Sequence, residues 1–137
     1  VNRYEIGDIT VGMSESFTVT VTADMMNDFL KLTGDVNPLH CDEDFAKQRG
    51  FSGRVVYGML SASLYSTLAG VYLPGEKCLL QRVDTKFKKP VFIGDTLTVT
   101  GTVTDVSEAL SHITVKATIV NQKGEKVNAA TIEAGVI

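Results

Sequence analysis

From Val55 to Gly75 the chain reads VVYGMLSASLYSTLAGVYLPG, without one charged side chain. Such a stretch does not suit a surface helix, which keeps one polar face in water. It must either cross a bilayer, for which about twenty apolar residues suffice, or be enclosed on most of its circumference by the rest of the protein. Tyr57, Ser61, Ser63, Ser66 and Thr67 make it too polar for a span, and patterned soluble segments flank it. A helix is therefore expected over about residues 54–70, with Val56, Met59, Leu60, Ser63, Leu64, Thr67 and Leu68 on one stripe. Small residues such as Gly58, Ser61, Ala62, Ser66, Ala69 and Gly70 cover much of the remainder and permit close backbone approach. Pro74 and Gly75 end the segment in a turn.

The rest of the pattern says what encloses that helix. Residues 16–22 set Phe17, Val19 and Val21 against Ser16, Thr18, Thr20 and Thr22, which is a half-buried strand. In residues 79–89, Leu79, Val83 and Phe87 share a parity with Gln81 and Thr85, while Arg82, Asp84, Lys86 and Lys88 face the other way. Residues 96–106 oppose Leu97, Val99 and Val103 to five threonines. Residues 112–120 repeat the device with Ile113, Val115, Ala117 and Ile119, and the loop at 121–124 closes a hairpin onto a last strand over 126–136.

One strand, a cluster of helices, then four strands joined by short turns is the α+β order. The expected architecture is an antiparallel sheet of about five strands wrapped around the long central helix, as one domain over residues 1–137. A single helix covers only part of such a sheet. A homodimer joined sheet edge to sheet edge would remove an exposed edge, and a dimer or higher homo-oligomer is expected.

A net charge of -3 offers no general field for nucleic acid or an anionic membrane. The two cysteines, Cys41 and Cys78, stand outside any CxxC or paired-histidine pattern, so neither a metal site nor a disulfide framework is indicated. The opening residues VNRYEIGD lack the apolar core of a signal peptide, and a cytoplasmic location is the expectation.

Chemistry-bearing residues concentrate between the first strand and the long helix. Thr22 can cap a helix over ADMMNDFLKLT, which Gly34 stops with a left-handed turn. Then comes GDVNPLHCDEDFA, residues 34–46, with one of only two histidines. Asn37-Pro38 cannot sit inside a helix, and Asp42 can cap a short one through Lys47 or Gln48. Five positions apart on a helix, Asp35 and His40 would diverge; with Gly34 ending the helix and Asn37-Pro38 turning the chain, both can converge on one water. Taken singly, Asp35 reads as a turn residue, His40 as a helix-entry residue, Asn37 as an Asx-turn former and Asp42, Glu43 and Asp44 as a solvated helix start. His112 reads as a surface residue.

FLKLTGDVNPLHCDEDFA, followed by VVYGMLSASLYS and later KFKKPVFIGDTLTV, resembles the MaoC-like dehydratases, the hotdog-fold (R)-specific enoyl-CoA hydratases. The likeness runs over roughly residues 20–105 in order and spacing, and G-D-x-N-P-x-H is its specific signature. The resemblance implies hydration of a trans-2-enoyl thioester to the (R)-3-hydroxyacyl thioester, or the reverse. It implies Asp35 and His40 as the catalytic dyad, the Gly58 amide as the oxyanion donor, Asn37 beside the dyad and Ser66 near the acyl thioester. Adding water to such a thioester needs a base, an acid for Cα and donors for the enolate oxygen, which fits that set.

Relatives commonly carry histidine before the glycine, where this chain has Tyr57, so pocket polarity is expected to differ there. Arg82, Lys86, Lys88 and Lys89 share a strand and its end. They form a candidate cluster for the phosphates of coenzyme A or an acidic acyl carrier protein, or else a solvated face. Met25, Met26, Phe29 and the bulky residues of the long helix are candidate pocket walls. No cofactor is expected beyond coenzyme A as part of the substrate. A thioesterase is disfavoured because residues 54–70 hold no Asp or Glu, and a non-catalytic acyl-binding subunit because Asp35, His40 and Gly58 occur together.

Overall fold

The structure, a computed structural model, describes residues 1–137. After a short 3-10 turn the elements are β1 (Ser14–Thr20), α1 (Ala23–Thr33), α2 (Pro38–Cys41), α3 (Glu43–Gln48) and α4 (Gly58–Thr67), which runs on as a π-helical turn over Leu68–Tyr72. Four strands complete the chain: β2 (Cys78–Phe87), β3 (Thr96–Ser107), β4 (His112–Val120) and β5 (Lys126–Val136). They form one antiparallel sheet in the order β1-β3-β4-β5-β2. This is the hotdog arrangement: the inner face of the sheet wraps α4.

The alternation seen in the sequence sets that inner face. Leu97, Val99 and Val103 of β3, Ile113, Val115 and Ile119 of β4, and Ile132 and Ala134 of β5 are all buried, and they form one core cluster with Leu60, Leu64, Tyr65 and Leu68 of α4. The π-helical turn packs tightly on the sheet at Gly101, where a Cβ would stand 2.7 Å from Leu68 Cδ2 and 2.9 Å from Val115 Cγ1. The threonines of β3 face outward and bond across the sheet instead, Thr96 to Thr20 and Thr100 to Ser16.

Three expectations need correction. The long helix starts at Gly58 rather than near residue 54, because the β-prone run Val55-Val56 finds strand-like partners: Val55 bridges Phe92, and the Val56 amide donates to the Val91 carbonyl at 2.8 Å. The buried stripe of α4 is also rotated. Met59 is 63% exposed and Ser63 is exposed, whereas Tyr65 is fully buried. The sheet encloses α4 from more than one side, so hydrophobic spacing alone did not fix its inward face. In β2 a bulge between Leu80 and Arg82 shifts the register, and Leu80, opposite inward Ala134, shares a face with Val83 and Phe87 in place of Leu79.

No helix is long and apolar enough to cross a membrane.

Candidate active site

Gly34, at φ +71°, ends α1 in the left-handed conformation with its amide on the Leu30 carbonyl. The chain then folds on its own side chains. Asp35 Oδ1 accepts from the Asn37 amide at 3.1 Å, and Asn37 Oδ1 accepts from the Leu39 amide at 3.0 Å. Asn37 thereby caps α2 and Pro38 occupies its first turn, where a missing N–H costs nothing. The Asn-Pro pair starts a short helix, and His40 rides on that helix.

Residues 54–57 hold this loop from beneath. The Val55 amide donates to the Leu39 carbonyl at 3.1 Å, Arg54 Nε donates to the His40 carbonyl at 2.7 Å, and His40 Nδ1 lies 2.7 Å from the Val55 carbonyl. A carbonyl can only accept, so Nδ1 carries a proton and Nε2 is the atom left to exchange one. The Tyr57 hydroxyl donates to the Asp35 carbonyl at 2.7 Å and lies 3.4 Å from Cys41 Sγ. Its ring packs on His40, with centroids 4.3 Å apart, and on Phe29 at 4.9 Å. Burial, then the Cys41 thiol, push the Tyr57 phenol up to about 12.

Directly after Tyr57, α4 begins without a side-chain cap. The first amides of the helix to reach a backbone acceptor are those of Leu60 and Ser61, both on the Tyr57 carbonyl. The amides of Gly58 and Met59 are thus unengaged, at the positive end of the helix dipole. The Phe87 ring fills the space a side chain at 58 would take: a Cβ there would lie 3.0 Å from Phe87 Cε1.

Asp35, His40, Tyr57, Gly58 and Phe87 line a cavity of about 410 Å³ together with Phe29. A second cavity of about 340 Å³ shares His40, Gly58 and Phe87 and adds Ser61, Lys88 and Asn128. The two are lobes that share those three residues. The structure therefore brings Asp35, His40, Tyr57, Gly58 and Lys88 to one place.

Other expected site residues lie elsewhere. Asn37 spends its side chain on the α2 cap and lines neither lobe. Ser66 is on the exposed side of α4 and also lines neither. Arg82 is on the outer face of the sheet, within 3.8 Å of Asp84 and 3.7 Å of Glu133. Lys86 shares that face with Lys116 and Lys126. Lys88 and Lys89 part from Lys86 because β2 ends at Phe87 and the chain turns inward at Pro90, so the basic residues are split between two surfaces. Met26 is fully buried in the core; of the expected walls, Phe29 and, from the long helix, Met59 line a lobe.

Phe87, Asn128, Arg54 and Cys41 were not singled out from the sequence for this site. Phe87 and Asn128 are register partners on β2 and β5, and only the strand pairing reveals that they meet under α4. No group of three or more His, Cys, Asp or Glu side chains is placed to hold a metal ion.

The chain is 39% identical over 111 residues to an (R)-specific enoyl-CoA hydratase of Rhodospirillum rubrum, covering 81% of this chain and 77% of that one. It is 41% identical over 96 residues to an (R)-specific enoyl-CoA hydratase of Aeromonas caviae, covering 70% and 72%. Among solved structures, the (R)-hydratase from A. caviae involved in PHA biosynthesis superposes with a TM-score of 0.90 at 32% identity, over 94% of this chain and 98% of that one. The unliganded R-hydratase of Pseudomonas aeruginosa gives 0.91 at 26% identity, over 96% and 84%. The family model of the MaoC like domain matches residues 9–125, a span that contains α1, the Asp35–His40 loop, α4 and the inner strands β3 and β4. Sequence, fold and family model coincide on the same segment, and the chain belongs to the MaoC-like domain family.

Proposed function

We propose that this protein is a hydro-lyase that adds water to a trans-2-enoyl-CoA to give the (R)-3-hydroxyacyl-CoA, or runs the reverse dehydration. The observation that carries the reading is that Asp35, His40 and Gly58 line one lobe of the same cavity. Its support outside the chain is the similarity to proteins named (R)-specific enoyl-CoA hydratase.

In this reaction the water oxygen bonds to Cβ, the C=C π pair moves to Cα, and Cα takes a proton, so one water is consumed whole. The Asp35 and His40 pair takes the proton that the attacking water gives up and returns a proton to Cα. His40 suits the task because the Val55 carbonyl holds its Nδ1–H and leaves Nε2 to exchange. Negative charge gathers on the thioester oxygen as the enolate forms. The unengaged amides of Gly58 and Met59 at the start of α4 are donors for it, strengthened by the helix dipole. The thioester itself acidifies Cα, so the chemistry calls for no redox group. An acyl carrier protein would present the same thioester and remains within the proposal.

Hydrolysis of the acyl bond is the less favoured reading, because α4 contributes no carboxylate to the cavity. The absorbance of a conjugated enoyl thioester distinguishes the readings when free thiol is measured beside it. Loss of absorbance without thiol release is expected for wild type, and a drop of about a hundredfold or more for Asp35→Asn and His40→Ala. Equal rates in all three would remove the dyad; thiol release would make the protein a thioesterase.

A homodimer is part of the same proposal. β2 is unpaired along one side and carries Leu79, Leu80 and Phe87, three exposed apolar side chains, whereas the opposite edge, β1, is lined with Ser and Thr. Sedimentation of the wild type is expected to give twice the chain mass, and Leu80→Glu to shift it toward the monomer. A wild type that sediments as a monomer overturns the assignment.

A further inference from the structure

Asn128 faces inward from β5, and only 1% of it is exposed. Its Oδ1 accepts from the Tyr65 hydroxyl at 2.7 Å and from Thr85 Oγ1 at 2.7 Å. Those two bonds decide which way the amide is turned. The Tyr65 hydroxyl is fully buried with no other partner, so it must donate, and only the oxygen end of the amide accepts. Burial raises the Tyr65 phenol and keeps that proton in place. What remains is Nδ2, buried with no hydrogen-bond partner in the chain.

An unpaired buried N–H group costs free energy that a leucine or valine at 128 would not. The residue lines the lobe that contains His40 and Gly58, where Ser61 adds a second polar group from α4 and Lys88 adds positive charge, that of Lys89 being paired with Glu125. The other lobe has Phe29, Met59 and Asp35 and no cation. An acyl thioester laid across Gly58 with its apolar chain toward Phe29 directs its carrier arm past Asn128 to Lys88.

We propose that Asn128, turned and held by Tyr65 and Thr85, is a substrate-binding residue whose Nδ2–H donates to an amide carbonyl of the pantetheine arm. The inference rests on the thioester reading given above. The arm offers amide oxygens between sulfur and phosphate, and a fixed amide donor suits such an acceptor, which a hydrocarbon wall would leave unpaired. Both carriers, coenzyme A and acyl carrier protein, present the same arm, so the contact recognises what they share.

The test compares an enoyl-CoA with the S-ethyl thioester of the same acid, which keeps the acyl chain and the thioester and lacks the amides. In Asn128→Ala, KM for the enoyl-CoA is expected to rise about fivefold, with kcat/KM on the ethyl thioester within about twofold of wild type. Equal losses on the two substrates, or no loss on either, overturn the role. Tyr65→Phe combined with Thr85→Val keeps the amide but frees it to turn, and serves if Asn128→Ala does not fold. The same selective rise in KM is expected, and a rise equal on both substrates overturns the proposal. If the wild type hydrates neither thioester, the hydratase reading fails and calorimetry with coenzyme A decides this one separately. A Kd about fivefold weaker in Asn128→Ala supports it, and an unchanged Kd overturns it.

Discussion

The Tyr57 hydroxyl donates to the backbone carbonyl of Asp35 at 2.7 Å across 22 residues of sequence. One phenol thus ties the base of α4 to the start of the acidic loop, while its ring supports His40. Tyr57→Phe keeps the ring and removes the tie. Unfolding in urea is expected to show a loss of about 1 kcal/mol. Because Asp35 is then less firmly placed, kcat is expected to fall severalfold with KM little changed. An unaltered kcat would show that the tie serves stability alone.

Alkaline titration reads the same contact. The Tyr57 phenol is pushed up to about 12 by burial, from about 10 in an unfolded chain. The unfolded state therefore gives up its proton first. The stability this group contributes is complete below about pH 10 and is lost as the pH rises to about 12. Tyrosinate absorbance should show late-titrating phenols from Tyr57 and Tyr65, whose shift has the same direction and cause. Tyr57→Phe should remove one of them and lessen the loss of stability over that interval.

Gly58 and Phe87 form a pair that space alone dictates. With a Cβ at 58 only 3.0 Å from Phe87 Cε1, Gly58→Ala must move the ring. Phe87 is 54% exposed, so the ring has somewhere to go. The expected outcome is little change in melting temperature and about a tenfold loss of kcat/KM as the ring swings into a lobe. Adding Phe87→Ala to Gly58→Ala should restore part of the loss. A double variant no better than the single one would place the damage in the backbone amide instead.

Gly101 is the stability counterpart. Its missing side chain admits Leu68 and Val115, and a Cβ would come within 3.0 Å of both. Neither neighbour has free room, since both are at most 2% exposed. Gly101→Ala is expected to cost about 1–3 kcal/mol in chemical unfolding, and trimming Leu68 to Ala in the same chain should recover less than the whole, since it removes core surface elsewhere.

Much of this was legible in the chain before its structure. Thr22 and Gly34 bracket α1 as cap and stop, Asp42 caps α3, and the alternation in β3 and β4 picks the buried residues. Local rules governed those elements. What was not legible depended on partners far along the chain. The start of α4 at Gly58 is set by Val55 and Val56 pairing with the segment 91–92, and its inward side by a sheet that encloses it. The bulge in β2 put Leu80, still partly exposed, on the face of Val83 and Phe87, which no parity count reveals. In the site, Asp35 and His40 stood out by their spacing together with the family resemblance of the stretch that carries them, whereas Phe87 and Asn128 join it through a strand register that neither residue signals.

Arg54, Val55 and Tyr57 grip the Asp35–His40 loop, and the same segment leads straight into the first turn of α4. In the proposed reaction the side chains that would move protons and the amide that would stabilise the enolate are consequently carried on one short splint, and their separation does not depend on the walls around it. On that reading Phe29, Met59 and the far strands can be exchanged to suit longer, shorter or bulkier acyl groups while the proposed centre keeps its dimensions, which would make this a scaffold whose selectivity and chemistry are mutable independently.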